Sequence, residues 1–266
     1  MRRVASRHAE RWAAPLLRLN CALLILVSPS LLHAQASSNT PVDLGVWLGY
    51  QGNHAMEKDS LWRLVIAGVA KRNKEIVDAQ AYLLKGGIGY ELKRDLQVSA
   101  GYIIERHIPF DSSSQPYKWT EHRIFEEVQF SISPGSGNKT LKQRVSLEER
   151  WLARKSAPDY ERVTSYKFET TLKYQLQFVF PLNPKTDSIF YDEVHLRLLP
   201  RNEKRLDQNR LFAGLSFKIE SKNISRLEVG YMLQTAHNSA ETAEGLQRVN
   251  HVISVTVISD APLRFK

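Results

Sequence analysis

Cysteine is nearly absent from this chain. The single one, Cys21, sits inside an N-terminal stretch built like an export signal, so the processed protein would carry no thiol. Disulfides, cysteine-ligated zinc and thiol nucleophiles are thereby excluded from its chemistry. Asn20 precedes Cys21 and apolar residues follow it, which argues against lipid attachment at that position. Long hydrophobic runs are also missing. Beyond the N-terminal stretch nothing approaches the roughly 20 consecutive apolar residues of a membrane-spanning helix. That excludes a helical membrane protein but not a β-barrel, whose strands need only about 9–11 residues and alternate apolar with polar. Charge of one sign is never concentrated: basic residues are scattered and mixed with acids. A nucleic-acid partner, which calls for a clustered basic patch with interleaved aromatics, is not expected.

What is present at the start is a secretory signal in three parts. Arg2, Arg3, Arg7, Arg11 and Arg18 form a basic region, Cys21 to Val27 an apolar run, and Ala34-Gln35-Ala36 a small-residue cleavage site. Cleavage is expected after Ala36, with Ala34 next in order. Residues 1–36 would then be the signal and residues 37–266 one domain. Removing five arginines and one glutamate lowers the net charge from +9 to +5.

The rest of the chain has a period of two. In 165–180, Tyr166, Phe168, Leu172, Tyr174, Leu176 and Phe178 share one face, and Lys167, Glu169, Thr171, Lys173, Gln175 and Gln177 the other. The same alternation runs through 96–104, 141–152, 210–220 and 227–234, and more weakly through 42–51, 61–70, 76–92, 121–132, 190–199 and 249–258. Alternation this regular is a strand signal. Within 76–92 the apolar residues change from odd to even across Gly86-Gly87, which predicts a bulge there. Glu126, Glu149 and His251 fall on faces that are otherwise apolar. Compact connections such as Lys93-Arg94-Asp95 and Ser221-Lys222-Asn223 alternate with more open ones at 106–119, 153–162, 200–209 and 235–247. That is the arrangement of short periplasmic turns and longer external loops.

These observations predict an all-β protein: an antiparallel up-and-down transmembrane β-barrel of 10–12 strands following a cleaved signal peptide. Eleven segments are visible, whereas single-chain bacterial barrels use even numbers, so ten or twelve wall strands are expected. The competing fold is a soluble periplasmic β-barrel binding protein. It is disfavoured because long charged side chains recur at mid-strand on the polar faces.

Several stretches resemble a family of bacterial outer-membrane β-barrel proteins catalogued as a domain of unknown function. They are Leu83-Leu84-Lys85-Gly86-Gly87-Ile88-Gly89-Tyr90, Ala100-Gly101-Tyr102, His122-Arg123-Ile124-Phe125-Glu126-Glu127, Arg144-Val145-Ser146-Leu147-Glu148-Glu149-Arg150, Asn209-Arg210-Leu211-Phe212-Ala213-Gly214-Leu215 and Glu228-Val229-Gly230-Tyr231. The resemblance spans roughly 42–258. It implies a barrel in the cell outer membrane and supplies no activity or site.

A search for chemistry finds little. A lipid-acting barrel hydrolase would need a serine–histidine pair. The nearest is His251 with Ser254, three apart on one strand and therefore on opposite faces. Among His54, His107, His122, His195, His237 and His251 no two have ligand spacing along the chain, and no loop resembles a calcium or phosphate site. No enzymatic activity, metal or cofactor is expected. Outer-membrane lipid, and the barrel-assembly machinery during biogenesis, are the expected partners of a monomer. The remaining candidate is the lumen lining on the polar faces: Arg123, Arg144, Arg150, Lys167, Lys173, Arg197, Arg210 and Lys218 with Glu127, Glu148, Glu169, Glu193, Glu220 and Glu228. Such a lining either selects solutes in a narrow passage or pairs across strands and holds the barrel shut.

Overall fold

The computed structural model describes residues 42–57, 59–73, 78–93, 95–109, 117–133, 139–156, 162–200, 205–219, 221, 224–237 and 247–262. Residues 1–36, expected to be an export signal, and Glu220 lie outside them.

Eleven strands follow one another: β1 (Val42–Ala55), β2 (Trp62–Asn73), β3 (Asp78–Lys93), β4 (Leu96–His107), β5 (Trp119–Ile132), β6 (Thr140–Lys155), β7 (Val163–Asn183), β8 (Thr186–Leu199), β9 (Leu206–Lys218), β10 (Arg226–His237) and β11 (Gln247–Ser259). Each pairs antiparallel with its sequence neighbour, and the sheet closes into a barrel. The even strand number expected from the sequence is corrected here, because the first segment is a full wall strand. Its partners are β2 on one side and β11 on the other, Val42 opposite Val249 through Gly52 opposite Ser259. An odd number of alternating strands leaves the first and last running the same way, so this seam is necessarily parallel. Connections after odd-numbered strands define one rim, with a tight turn at 184–185, and those after even-numbered strands define the other, the loop rim.

The expected bulge at Gly86-Gly87 is absent. Pairing runs unbroken from Leu83 to Glu91 against β4, and the shifts lie instead at Lys71/Arg72 and Glu91/Lys93. The apparent change of period arises because Ala81 and Leu83 are apolar residues that face inward. The interior glycines serve close approach. Phe125 is fully buried against Gly87 and Gly101, and a Cβ on Gly87 would lie 2.8 Å from its ring.

The polarity of the barrel is inverted relative to a water-soluble one. Leu84 is 64% and Ile124 46% exposed, whereas Glu121 is 0% and Glu169 3% exposed. The outward apolar faces are those with Leu44, Leu48, Ile88, Tyr102, Phe168, Phe190, Leu215 and Ile253. Glu126 and Glu149 do face outward, Glu126 opposite Ala100 and Leu147, Glu149 opposite Ile124 and Thr170. His251 and His122 also face outward, each hydrogen-bonded through Nδ1 to the hydroxyl of a tyrosine on the neighbouring strand, Tyr231 and Tyr102 respectively. The interior is filled on one side by an apolar cluster of Ile189, Phe212, Met232 and Val252 with Trp47, Val179 and Tyr191 packed against it.

Candidate functional site

The other side of the lumen is a network of ion pairs whose members come from β2 to β9. Parity puts them there: Glu105 on β4, Glu121 and Arg123 on β5, and Glu148 and Arg150 on β6 belong to the inward-facing row of strands whose alternate residues face out. Arg123 is the centre. Its Nε donates to Glu121 at 2.7 Å, Nη1 to Glu148 at 3.3 Å, and Nη2 to Glu105. Each carboxylate has a further cation: Lys71 at 2.5 Å from Glu105, Arg150 at 2.5 Å from Glu121, and Lys173 at 2.6 Å from Glu148.

The network continues around the wall. Arg150 reaches Asp207 at 3.5 Å and Glu169 at 3.6 Å, Arg197 pairs with Asp207, and Lys167 pairs with Glu169 at 2.9 Å. A second group joins Arg144 to Glu193 at 2.7 Å, Arg210 to Glu193 at 2.9 Å, and His195 to the same carboxylate at 2.8 Å. Lys85 pairs with Glu127 at 3.0 Å and lies over the Phe125 ring at 3.9 Å. Charge-assisted bonds between groups this buried are short and directional, because little water competes.

Of the lumen residues expected from the sequence, thirteen are described and all thirteen face inward; Glu220 lies outside the described residues. Arg123, Arg150, Glu148, Lys173, Lys167, Glu169 and Arg197 are brought into the main network. Arg144, Glu193 and Arg210 form the second group. Lys218 stands apart at the turn rim, 3.2 Å from Asp187, and Glu228 sits opposite Ser216. Sequence reasoning missed Lys71, Glu105, Glu121 and Asp207. Glu105 and Glu121 were legible by parity, since each continues the inward row of its strand. Lys71 and Asp207 were not, because register shifts fall beside both strand ends.

A cavity of about 420 Å³ opens from the network toward the loop rim, lined by Trp47, Lys71, Glu105, His107, Trp119 and Arg210, among others. Trp47 is flanked by Lys71 at 4.8 Å and Arg210 at 5.1 Å from its ring. His107 stacks on Trp119 with ring centroids 3.7 Å apart and an interplanar angle of 9°. Three polar atoms of its lining make no hydrogen bond: Trp47 Nε1, His107 Nε2 and Asn250 Oδ1. Pockets of this size with convergent polar groups accept small polar ligands. His251 and Ser254 do not converge: His251 faces outward, while Ser254 pairs with Trp47 and Gly230 in the register and faces in.

Residues 44–244 match the family described as "Protein of unknown function (DUF2490)". The chain belongs to this family. The match reaches from β1 through β10, so all strands that contribute to the ion-pair network lie within the family's domain. No curated protein and no solved structure matches the chain.

Proposed function

We propose that this DUF2490 member spans the bacterial outer membrane as a monomeric barrel whose lumen is closed at mid-height by its own ion pairs. The observation that carries the reading is the inverted polarity: apolar side chains cover the outside, and Glu105, Glu121, Arg123 and Glu148 are buried within. In water this arrangement would expose a large continuous apolar surface, far beyond the few hundred Å² a soluble monomer tolerates. In lipid it is the stable one, since a closed sheet leaves no backbone group unpaired. No helix among the described residues is long and apolar enough to cross a membrane, and a β-barrel needs none.

In this reading outer-membrane lipid surrounds the wall, the assembly machinery inserts it, and the turn rim faces the periplasm. The barrel is non-catalytic. Eleven strands enclose an interior between the filled lumen of an eight-stranded barrel and the open channel of a porin. Here that interior holds long side chains paired across strands together with Phe125 and Phe212. Its role is structural, with a vestibule at the loop rim that admits small polar solutes but passes them poorly. Membrane fractionation combined with electrophoresis of unheated and boiled samples tests the proposal. A closed barrel resists detergent until heated, so the two samples should migrate differently and the protein should fractionate with the outer membrane. Recovery in the soluble periplasm would refute it.

A further inference from the structure

We propose that Glu105, His107 and Glu121 form a binding site for one transition-metal dication, of which zinc best suits the donors. Glu105 and Glu121 stand directly opposite each other across β4 and β5, two like charges in adjacent positions. Such a pair is unfavourable in a sheet unless something cationic lies between or beside it. His107 Nε2 is 3.4 Å from Glu121 Oε2 and 3.9 Å from Glu105 Oε2. Ligand atoms about 2.0–2.2 Å from a tetrahedral zinc lie roughly 3.3–3.6 Å apart, so a small closure would bring all three into coordination. Glu121 Oε2 is buried without a hydrogen bond and faces His107 Nε2, which also makes none. The stack on Trp119 fixes the imidazole plane.

The neighbouring cations bind mainly the other oxygens. Lys71 takes Glu105 Oε1, and Arg123 and Arg150 take Glu121 Oε1. Glu105 Oε2 is shared with Arg123. The cations therefore act as the outer partners that orient carboxylate ligands, while their charge tempers affinity and keeps the ion exchangeable. Three protein ligands leave a fourth position open, and Glu105 and His107 line the cavity through which an ion would arrive. One imidazole and two carboxylates are too few oxygens for calcium, and magnesium gives up water reluctantly, so neither should compete.

The test is titration of tag-free, detergent-folded protein with zinc chloride by calorimetry, with magnesium chloride as comparison. Wild type should bind one zinc per chain. His107→Ala removes a ligand whose contacts with Glu121 and Glu105, 3.4 and 3.9 Å, are long beside the arginine and lysine pairs that hold those carboxylates, and it should weaken binding roughly tenfold or more. Its unheated electrophoretic mobility should remain that of the folded barrel. Glu121→Gln should weaken binding similarly; if it does not fold, His107→Gln replaces it. Absence of zinc binding by wild type, or equal binding by His107→Ala, would overturn the site. The cluster would then be a histidine stacked on Trp119 beside two carboxylates already held by Arg123, Arg150 and Lys71. Because folding is read in the same sample, this failure is distinct from failure of the barrel proposal.

Discussion

Replacing Arg123 by Met would remove the guanidinium that ties β4, β5 and β6 together inside the lumen while keeping a side chain of comparable length. Arg123 is 8% exposed, and its three partners are 2%, 0% and 5% exposed, so solvent screens these pairs little. Removing one member of a buried pair costs about 3–5 kcal/mol, since a desolvated charge is left behind. Each of the three carboxylates keeps another cation, Lys71, Arg150 or Lys173. That places the expected loss at the lower end, about 3 kcal/mol. Urea unfolding in detergent, followed as the fraction that keeps unheated mobility, would measure it as a shift in midpoint at constant slope. Arg123→Lys should fall between wild type and Arg123→Met. A single ammonium cannot reproduce a fork that reaches three carboxylates through three different nitrogens. Glu148→Gln combined with Arg123→Met should cost less than the sum of the two single changes, because they share a contact. A loss under about 1 kcal/mol for Arg123→Met would refute the reasoning, since that is the range of exposed pairs. Strict additivity would refute it equally.

Two further outcomes are expected. Leu84→Arg places a cation outward at mid-strand on β3 and should destabilise the barrel in lipid by about 2–4 kcal/mol, whereas the adjacent Lys85 already carries one inward; equal unfolding midpoints for Leu84→Arg and wild type in vesicles would count against lipid on that face. Wild type should conduct poorly in a planar bilayer, and Arg144→Ala with Glu148→Ala should raise conductance in the fraction that keeps unheated mobility, because both side chains obstruct the lumen; a large, steady wild-type conductance unchanged in the double variant would mean the lining does not obstruct the lumen.

Much of this fold was legible in the chain because a strand's period is a local property. Every segment read as alternating became a wall strand, and the split of Tyr166, Phe168 and Leu172 from Lys167, Glu169 and Lys173 is the split between outside and inside. Alternation does not depend on strand direction or on the partner, and there the reading stopped. Nothing in 42–51 distinguishes a strand that closes a seam in parallel from one that does not; closure joins β1 to β11, some 200 residues away along the chain. Gly86-Gly87 looked like a bulge because the rows were sorted by polarity. The lumen is polar only in part, and Ala81, Leu83 and Phe125 occupy it where glycines on β3 and β4 leave room.

The candidate site divides along the same line. Glu105 and His107 share a face two residues apart, which the sequence by itself determines. Only the stagger between β4 and β5 sets Glu121 opposite Glu105 and within reach of His107. Likewise the rows of arginines and glutamates are properties of single strands, but which cation meets which carboxylate depends on relative strand heights. Those heights are decided by the pairing register around the closed ring, a property of strand pairs that no single strand carries.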